Sequence, residues 1–394
     1  VTPTSQAELV AEVRAAYAAS TPIYPLGGGA SLDYGLPAKQ PGLGMELTGL
    51  QRVVDFPARD LTVTVEAGIT MQALTDTLRV EGLRLPVDVP QAAQATLGGV
   101  IVTAWSGPRR FGYGAIRDFV IGITAVDGRG EVFHGGGRVV KNVAGYDFCK
   151  LLTGSLGTLG IIAQVTLKLR PLAEATQICV VPLAELASMD GLLDWLATSD
   201  VTPSAVEVFS GPLWREQLGH APLAAALLLE GTTSEVTWMA RTCAEELRKI
   251  ASGSIRLIPS DDVSNDWQAF LEFPAAEAAL SLKATMKPSK VARFLHGVSE
   301  VEPAASIQAH AASGIVYVKF PQFPPGGLSR AVVGNLRPLA NECGGHLVVL
   351  SNPSGQEMTP QSVWGSLGGQ LAVMQQVKQQ FDPRNLLNPG RFVY

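Results

Sequence analysis

Apolar residues along this chain fall into short runs, and the runs change character near residue 170. Before that point, β-branched stretches at residues 61–65, 120–126 and 161–169 alternate with tight glycine groups. Runs this short and this rich in Val and Ile predict strands. Residues 23–25 form another strand pattern, which runs straight into a glycine triplet. Residues 73–83 carry a helical pattern that Gly82 would end. After Arg170-Pro171 the patterns read as strand 177–182, helix 183–198, strands 205–209 and 224–230, helix 234–251 with Ser234 as its N-cap, and strand 254–258. This is the β-α-β-β-α-β order. A similar order recurs as strand 280–285, helix 289–298, strands 306–310 and 314–319, helix 328–343 and strand 346–350. Two such units predict a duplicated α+β domain, with one broad antiparallel sheet and helices on one face. Residues 351–394 read as a tail with a helix over 363–381 and a final stretch rich in turn formers.

At 394 residues the chain exceeds one ordinary core, so two or three domains are expected. The 46% hydrophobic content, with no low-complexity segment, predicts a compact soluble protein. No window holds the roughly 18 uncharged apolar residues that a membrane span needs. The longest candidate, residues 221–229, ends at Glu230 and reads as a buried strand. A net charge of −5 argues against a nucleic-acid surface. The N-terminus lacks a basic segment followed by an apolar one, which predicts no signal peptide. The chain starts at Val1 rather than Met, which leaves processing or trimming open. Cys149, Cys179, Cys243 and Cys343 lie far apart and form no CxxC, so an iron–sulfur cluster or zinc knuckle within the chain is not expected. Scattered thiols of this kind fit a reducing, cytoplasmic setting.

Four glycine-bearing segments carry the candidate chemistry. The first is Pro25-Leu26-Gly27-Gly28-Gly29-Ala30-Ser31, where successive backbone N–H groups could converge on a phosphate. It is neither a GxGxxG opening a helix nor a Walker loop. The second joins Leu85-Pro86-Val87-Asp88-Val89-Pro90 to Ala95-Thr96-Leu97-Gly98-Gly99-Val100. The third is Ala104-Trp105-Ser106-Gly107, followed by Tyr113-Gly114 and Ile116-Arg117-Asp118. The fourth runs Lys141-Asn142-Val143-Ala144-Gly145-Tyr146-Asp147, then Gly154-Ser155-Leu156-Gly157-Thr158-Leu159-Gly160-Ile161-Ile162. Any one of these could be turn chemistry alone. All four within 140 residues, each beside an apolar run, predict backbone that lines an extended ligand.

This order of segments resembles the FAD-binding domain of the vanillyl-alcohol-oxidase, or PCMH-type, family over residues 23–170. The closing Phe381-Asp382-Pro383, then Leu387-Asn388-Pro389-Gly390-Arg391, is similar to that family's C-terminal signature. The resemblance implies an α+β fold: a two-part FAD-binding domain at 1–172, an α+β cap with a large antiparallel sheet at 173–350, and a segment at 351–394 that returns to the FAD domain. It further implies that Leu26, Gly27, Gly28, Gly29, Ala30 and Ser31 bind the FAD pyrophosphate. Pro86, Thr96, Gly98, Gly99, Ser106 and Gly107 would line the flavin and its ribityl chain. Gly157, Thr158, Ile161 and Ile162 would hold the adenosine end, and Asn388 would close over the flavin. Some relatives bind FAD covalently through a His in the glycine loop; Ala30 stands there in this chain, so the FAD should be non-covalent.

The stretch 139–147, with Leu156 where many relatives carry Glu, looks like the E subunits of glycolate oxidase. That resemblance implies an FAD subunit that participates in oxidising glycolate to glyoxylate, beside a second FAD-binding subunit and an iron–sulfur subunit toward which electrons pass. A cytoplasmic setting follows, with peripheral association at the inner face of the plasma membrane through the complex. Related 2-hydroxy-acid dehydrogenases place two His and a Glu around a metal. In this chain His310 keeps the first His, but Tyr317 stands at the second, Ser313 replaces an Asp, and no E-H-G follows. No metal is therefore expected. Catalytic residues stay open, with His310, Lys283 and Tyr317 as candidates; Lys283 falls near an Arg that binds the substrate carboxylate in relatives. Two other readings remain: a self-sufficient FAD-dependent 2-hydroxy-acid dehydrogenase, and a non-catalytic scaffold that FAD only stabilises.

Overall fold

The structure is a computed structural model that describes residues 1–137, 145–214, 221–259 and 263–393. The chain forms two units: one from residues 1–106, 114–172 and 366–394, the other from residues 107–113 and 173–365.

The first unit begins with an α-helix, Gln6–Ala19, that sequence patterning missed. Ser5 caps it by accepting from the Glu8 amide, and Leu9, Val13 and Ala16 form its buried stripe. Ile23–Leu26 then pairs in parallel with Leu43–Glu46. A five-stranded antiparallel sheet follows, in the spatial order Val53–Asp55, Thr62–Glu66, Ile161–Lys168, Val120–Val126 and Val132–Gly136. Both faces of its central strand are buried. Ile161 and Ala163 join the core under the first helix, whereas Ile162, Val165 and Leu167 join a second core around the helix Met71–Arg79. Ala163 is the extra residue of a β-bulge, since Thr124 pairs with Gln164 and Ala125 with Ile162. One unpaired residue shifts the period-two alternation, so the inward face changes there. The helix expected at 73–83 starts earlier because the Thr70 hydroxyl accepts from the Ala73 amide. It ends at Arg79, and Leu83–Arg84 is a strand paired with Arg170–Pro171.

The second unit is one eight-stranded antiparallel sheet. Its order is Arg256–Ile258, Ala175–Pro182, Leu223–Gly231, Ala205–Ser210, Ser306–His310, Ile315–Phe320, Leu280–Thr285 and His346–Ser351. The two β-α-β-β-α-β repeats meet where Ala205–Ser210 pairs with Ser306–His310. The helix Thr233–Glu246 is capped by Thr232 rather than Ser234, because Glu235 reaches back to close a capping box. Helices do not keep to one face. The helix Val263–Glu272 sets Phe270 against Phe209, with ring centroids 4.3 Å apart. Phe209 shares its face with Glu207, whereas Leu295 and Val298 of the helix Val291–Val301 line a cavity with Ile307, on the opposite face.

Two further differences lie toward the C-terminus. The helix expected at 363–381 is two helices, Pro360–Val363 and Gln370–Phe381, separated by Gly365 and Gly368 at φ 77° and 54°. Residues 351–365, expected with the tail, belong to the second unit. The buried Arg337 guanidinium binds them by donating to the Gln361, Ser362 and Val363 carbonyls, and also to the Leu347 carbonyl. Residues 107–113 join the same unit because Arg109 pairs with the buried Glu230 at 3.1 Å.

Candidate functional site

In the first unit, the strand Ile23–Leu26 delivers the chain into the glycine triplet. A Cβ on Gly27 would overlap the Thr96 hydroxyl, and one on Gly28 would overlap the Gln94 carbonyl. These two glycines let the loop press its backbone onto residues 94–96, so Gly28 is small for packing rather than to clear a phosphate. Gly29 differs: its φ is 87°, and a Cβ there would meet only Leu32, at 3.8 Å. Its constraint is conformational, and its surroundings are open. Thr96 caps the short helix Leu97–Val102 by accepting from the Gly99 amide, and the Gly98 amide donates to the Ala67 carbonyl. Ala30 is half-buried, Ser31 is exposed, and Pro86 and Ser106 are buried. Gly107 falls in the second unit.

A second loop spans residues 155–158. Leu156 and Gly157 are both left-handed, at φ 51° and 67°. The Thr158 hydroxyl donates to the Ser155 carbonyl at 2.6 Å and locks this turn. Asn388, at φ 45°, donates its amide N–H to the Ile23 carbonyl and its Nδ2 to the Leu156 carbonyl. Arg391 donates to the Leu32, Tyr34 and Leu36 carbonyls just after the glycine triplet. The C-terminal stretch thus touches both loops. Ile161 and Ile162 point their side chains into two cores and offer this site only backbone. Residues 141–144 of the fourth motif, and residues 139 and 140 before it, lie outside the described residues.

Ser155 was not singled out from sequence, though it sits inside the motif. Its buried Oγ has no hydrogen-bond partner. A buried hydroxyl left unpaired costs free energy, so one beside a locked turn fits a ligand that supplies an oxygen. That hydroxyl and the open, left-handed Gly29 are features a phosphate-bearing nucleotide would use.

On the second unit's sheet, register places Glu207, Phe209, Gln308, His310, Tyr317 and Lys283 on one face. Glu207, fully buried, takes hydrogen bonds from His310 Nδ1 at 2.7 Å and from Gln308 Nε2 at 2.8 Å. When the Glu207 carboxylate is ionised it can only accept, and Nδ1 is then the donor of this pair. The Tyr317 ring lies edge-on to His310 with centroids 5.3 Å apart, and Lys283 Nζ lies 5.8 Å from the Tyr317 ring. Burial, with repulsion from Arg110 second, pushes the Lys283 ammonium down to about 8. The three sequence candidates therefore share one neighbourhood. Glu207, Gln308 and Arg110 complete it; nothing in their local sequence marks them. No group of three His, Cys, Asp or Glu is placed to hold a metal among the described residues.

Residues 1–136 match the FAD binding domain family, and residues 366–392 match the C-terminal domain of FAD linked oxidases. The chain is 35% identical to D-2-hydroxyglutarate dehydrogenase of Xanthomonas citri over 55% of its own length and 46% of that protein. It is 28% identical to D-lactate dehydrogenase of Archaeoglobus fulgidus over 100% of this chain and 90% of the other. It is also 30% identical to glycolate oxidase subunit GlcE of Escherichia coli, over 57% of this chain and 63% of that one. Among solved structures, an alkyldihydroxyacetonephosphate synthase superposes with a TM-score of 0.72 at 18% identity, covering 99% of this chain and 76% of that one. With the two family matches, this likeness shows the fold of the chain to be that of PCMH-type FAD-binding proteins, with a second unit built on a large antiparallel sheet.

Proposed function

We propose that this chain is an FAD-dependent oxidoreductase of 2-hydroxy acids that serves as the FAD-carrying subunit of a glycolate oxidase complex. The observation that carries the reading is that a chain with FAD-domain loops also has a sheet face bearing Lys283, whose ammonium feels the charge of Arg110 on the short helix Arg110–Tyr113. Two cations suit the carboxylate of a 2-hydroxy acid. His310, aligned by Glu207, and the Tyr317 ring beside it are the proton-handling groups of that face. The bound flavin supplies hydride acceptance from the α-carbon. Ala30 offers no nucleophile, so the FAD is held non-covalently. The similarity to subunit GlcE favours a role beside a second flavin subunit and an iron–sulfur subunit that takes the electrons, in the cytoplasm or at the inner face of the plasma membrane. No helix among the described residues is long and apolar enough to cross a membrane.

A second reading, a self-sufficient dehydrogenase, is favoured by the chain-long similarity to D-lactate dehydrogenase. One experiment separates them. Glycolate and D-lactate are added anaerobically to the isolated, flavin-loaded chain, and then to the chain co-expressed with the two partner subunits. The complex reading expects little bleaching of the flavin alone and glycolate turnover when the partners are present. Rapid reduction of the isolated chain would sink it in favour of the second reading.

A further inference from the structure

Lys378 lies on the helix Gln370–Phe381, is 5% exposed, and is used by none of the sites above. Its ammonium donates at 2.8 Å to the Thr158 carbonyl, at 3.0 Å to the Leu387 carbonyl and at 2.6 Å to Asp382 Oδ2. Asp382, also buried, accepts the Leu386 amide on Oδ1 and the Leu387 amide on Oδ2. Leu386 and Asn388 are then the residues that bond the Ile23 backbone, upstream of the glycine triplet. An ammonium bound to three oxygens cannot move without breaking charge-assisted bonds. Burial draws the Lys378 pKa down while Asp382 opposes that shift.

We propose that Lys378 is a positioning residue for the flavin nucleotide. It fixes the 155–158 turn, which presents the unpaired Ser155 hydroxyl, against the 386–388 segment, which anchors the strand leading into the glycine triplet. Three stretches far apart in sequence are thereby held in one fixed arrangement. The residue touches no ligand itself. This inference rests on the FAD-binding reading of the first unit.

The test is FAD affinity rather than turnover. Wild type, Lys378→Met, Lys378→Arg and Asp382→Asn are stripped of flavin and titrated with FAD by fluorescence, and apo-protein melting is followed in parallel. Lys378→Met is expected to raise the FAD dissociation constant at least tenfold, with Lys378→Arg between it and wild type. A purely structural lysine would lower melting of apo and loaded protein alike and leave the dissociation constant within twofold, and that result overturns the proposal. If Lys378→Met does not fold, Asp382→Asn carries the same expectation and the same refutation. Wild type that takes up no FAD would overturn the FAD-binding reading itself, and the inference with it.

Discussion

Gly28 and Gly29 are neighbours that are glycine for different reasons, and substitution separates them. Alanine at Gly28 drives a methyl into the Gln94 carbonyl, so the loop must lift off residues 94–96. Gly28→Ala is therefore expected to yield protein with little or no bound flavin. Gly29→Ala meets no backbone and costs only its left-handed φ, about 1 kcal/mol. It should keep its flavin, and absorbance of the purified proteins at flavin wavelengths checks both. The sequence announced these glycines but not their division of labour, because the partner of Gly28 lies 66 residues away. Lys319 offers a second case. Buried beside the Pro274 and Ala276 carbonyls and Ser281, its ammonium is pushed down to about 8 from an ordinary 10.5. The folded chain thus holds this proton more weakly than the unfolded chain does. The cost of that charge is fully present below pH 8 and fades as pH rises toward 10.5. Over that window wild type should gain up to about 3 kcal/mol relative to Lys319→Met in chemical denaturation. A flat difference would show that the three hydrogen bonds keep the amine at its ordinary value.

Among elements, central strands were the most readable. Residues 120–126, 280–285 and 306–310 were expected with the bounds the structure gives them. Val120–Val126 is a β-branched run, while Leu280–Thr285 and Ser306–His310 alternate apolar and polar residues, and both signals are local. Helix ends were less readable, because a cap is decided by one hydroxyl, as at Thr232. The stretch expected as one helix at 328–343 is wound as a π-helix over Ser329–Leu336 before turning α over Arg337–Glu342. Pro338 has no N–H for an i→i−4 bond, and the Arg337 amide reaches the Val332 carbonyl instead. This junction aims the Arg337 guanidinium at the carbonyls of residues 361–363 and 347. Arg337→Met leaves those carbonyls without their donor, and a loss of about 3 kcal/mol is expected. The second unit should then melt earlier while the flavin content of folded protein is unchanged. Loss of flavin in this variant would mean that Arg337 matters to the first unit as well.

At the scale of the molecule, the FAD loops and the His310 neighbourhood belong to different units. Binding and turnover should therefore separate by mutation. His310→Ala should retain bound FAD and lower 2-hydroxy-acid turnover by about a hundredfold or more, the usual scale for a proton-handling group; loss of FAD would refute this division. The glycine loops of the first unit were readable because each lies within one short stretch. The Glu207–Gln308–His310 cluster was not, because strand register alone brings residues 103 apart into contact. The same holds for the first unit's composition, whose three segments include one drawn from the far end of the chain. Ile23 is bridged to Leu387, and Arg391 closes over residues 32–36. A ribosome delivers these partners in the wrong order for a quick finish. Residues 1–172 emerge first, with Ile23, Val126 and Ile161 awaiting the Leu387 side chain that completes their core. All of the eight-stranded sheet must be synthesised before it arrives. Until then the first unit leaves part of that core uncovered, and its nucleotide-binding loops gain their C-terminal contacts only after the sheet-bearing unit has been made.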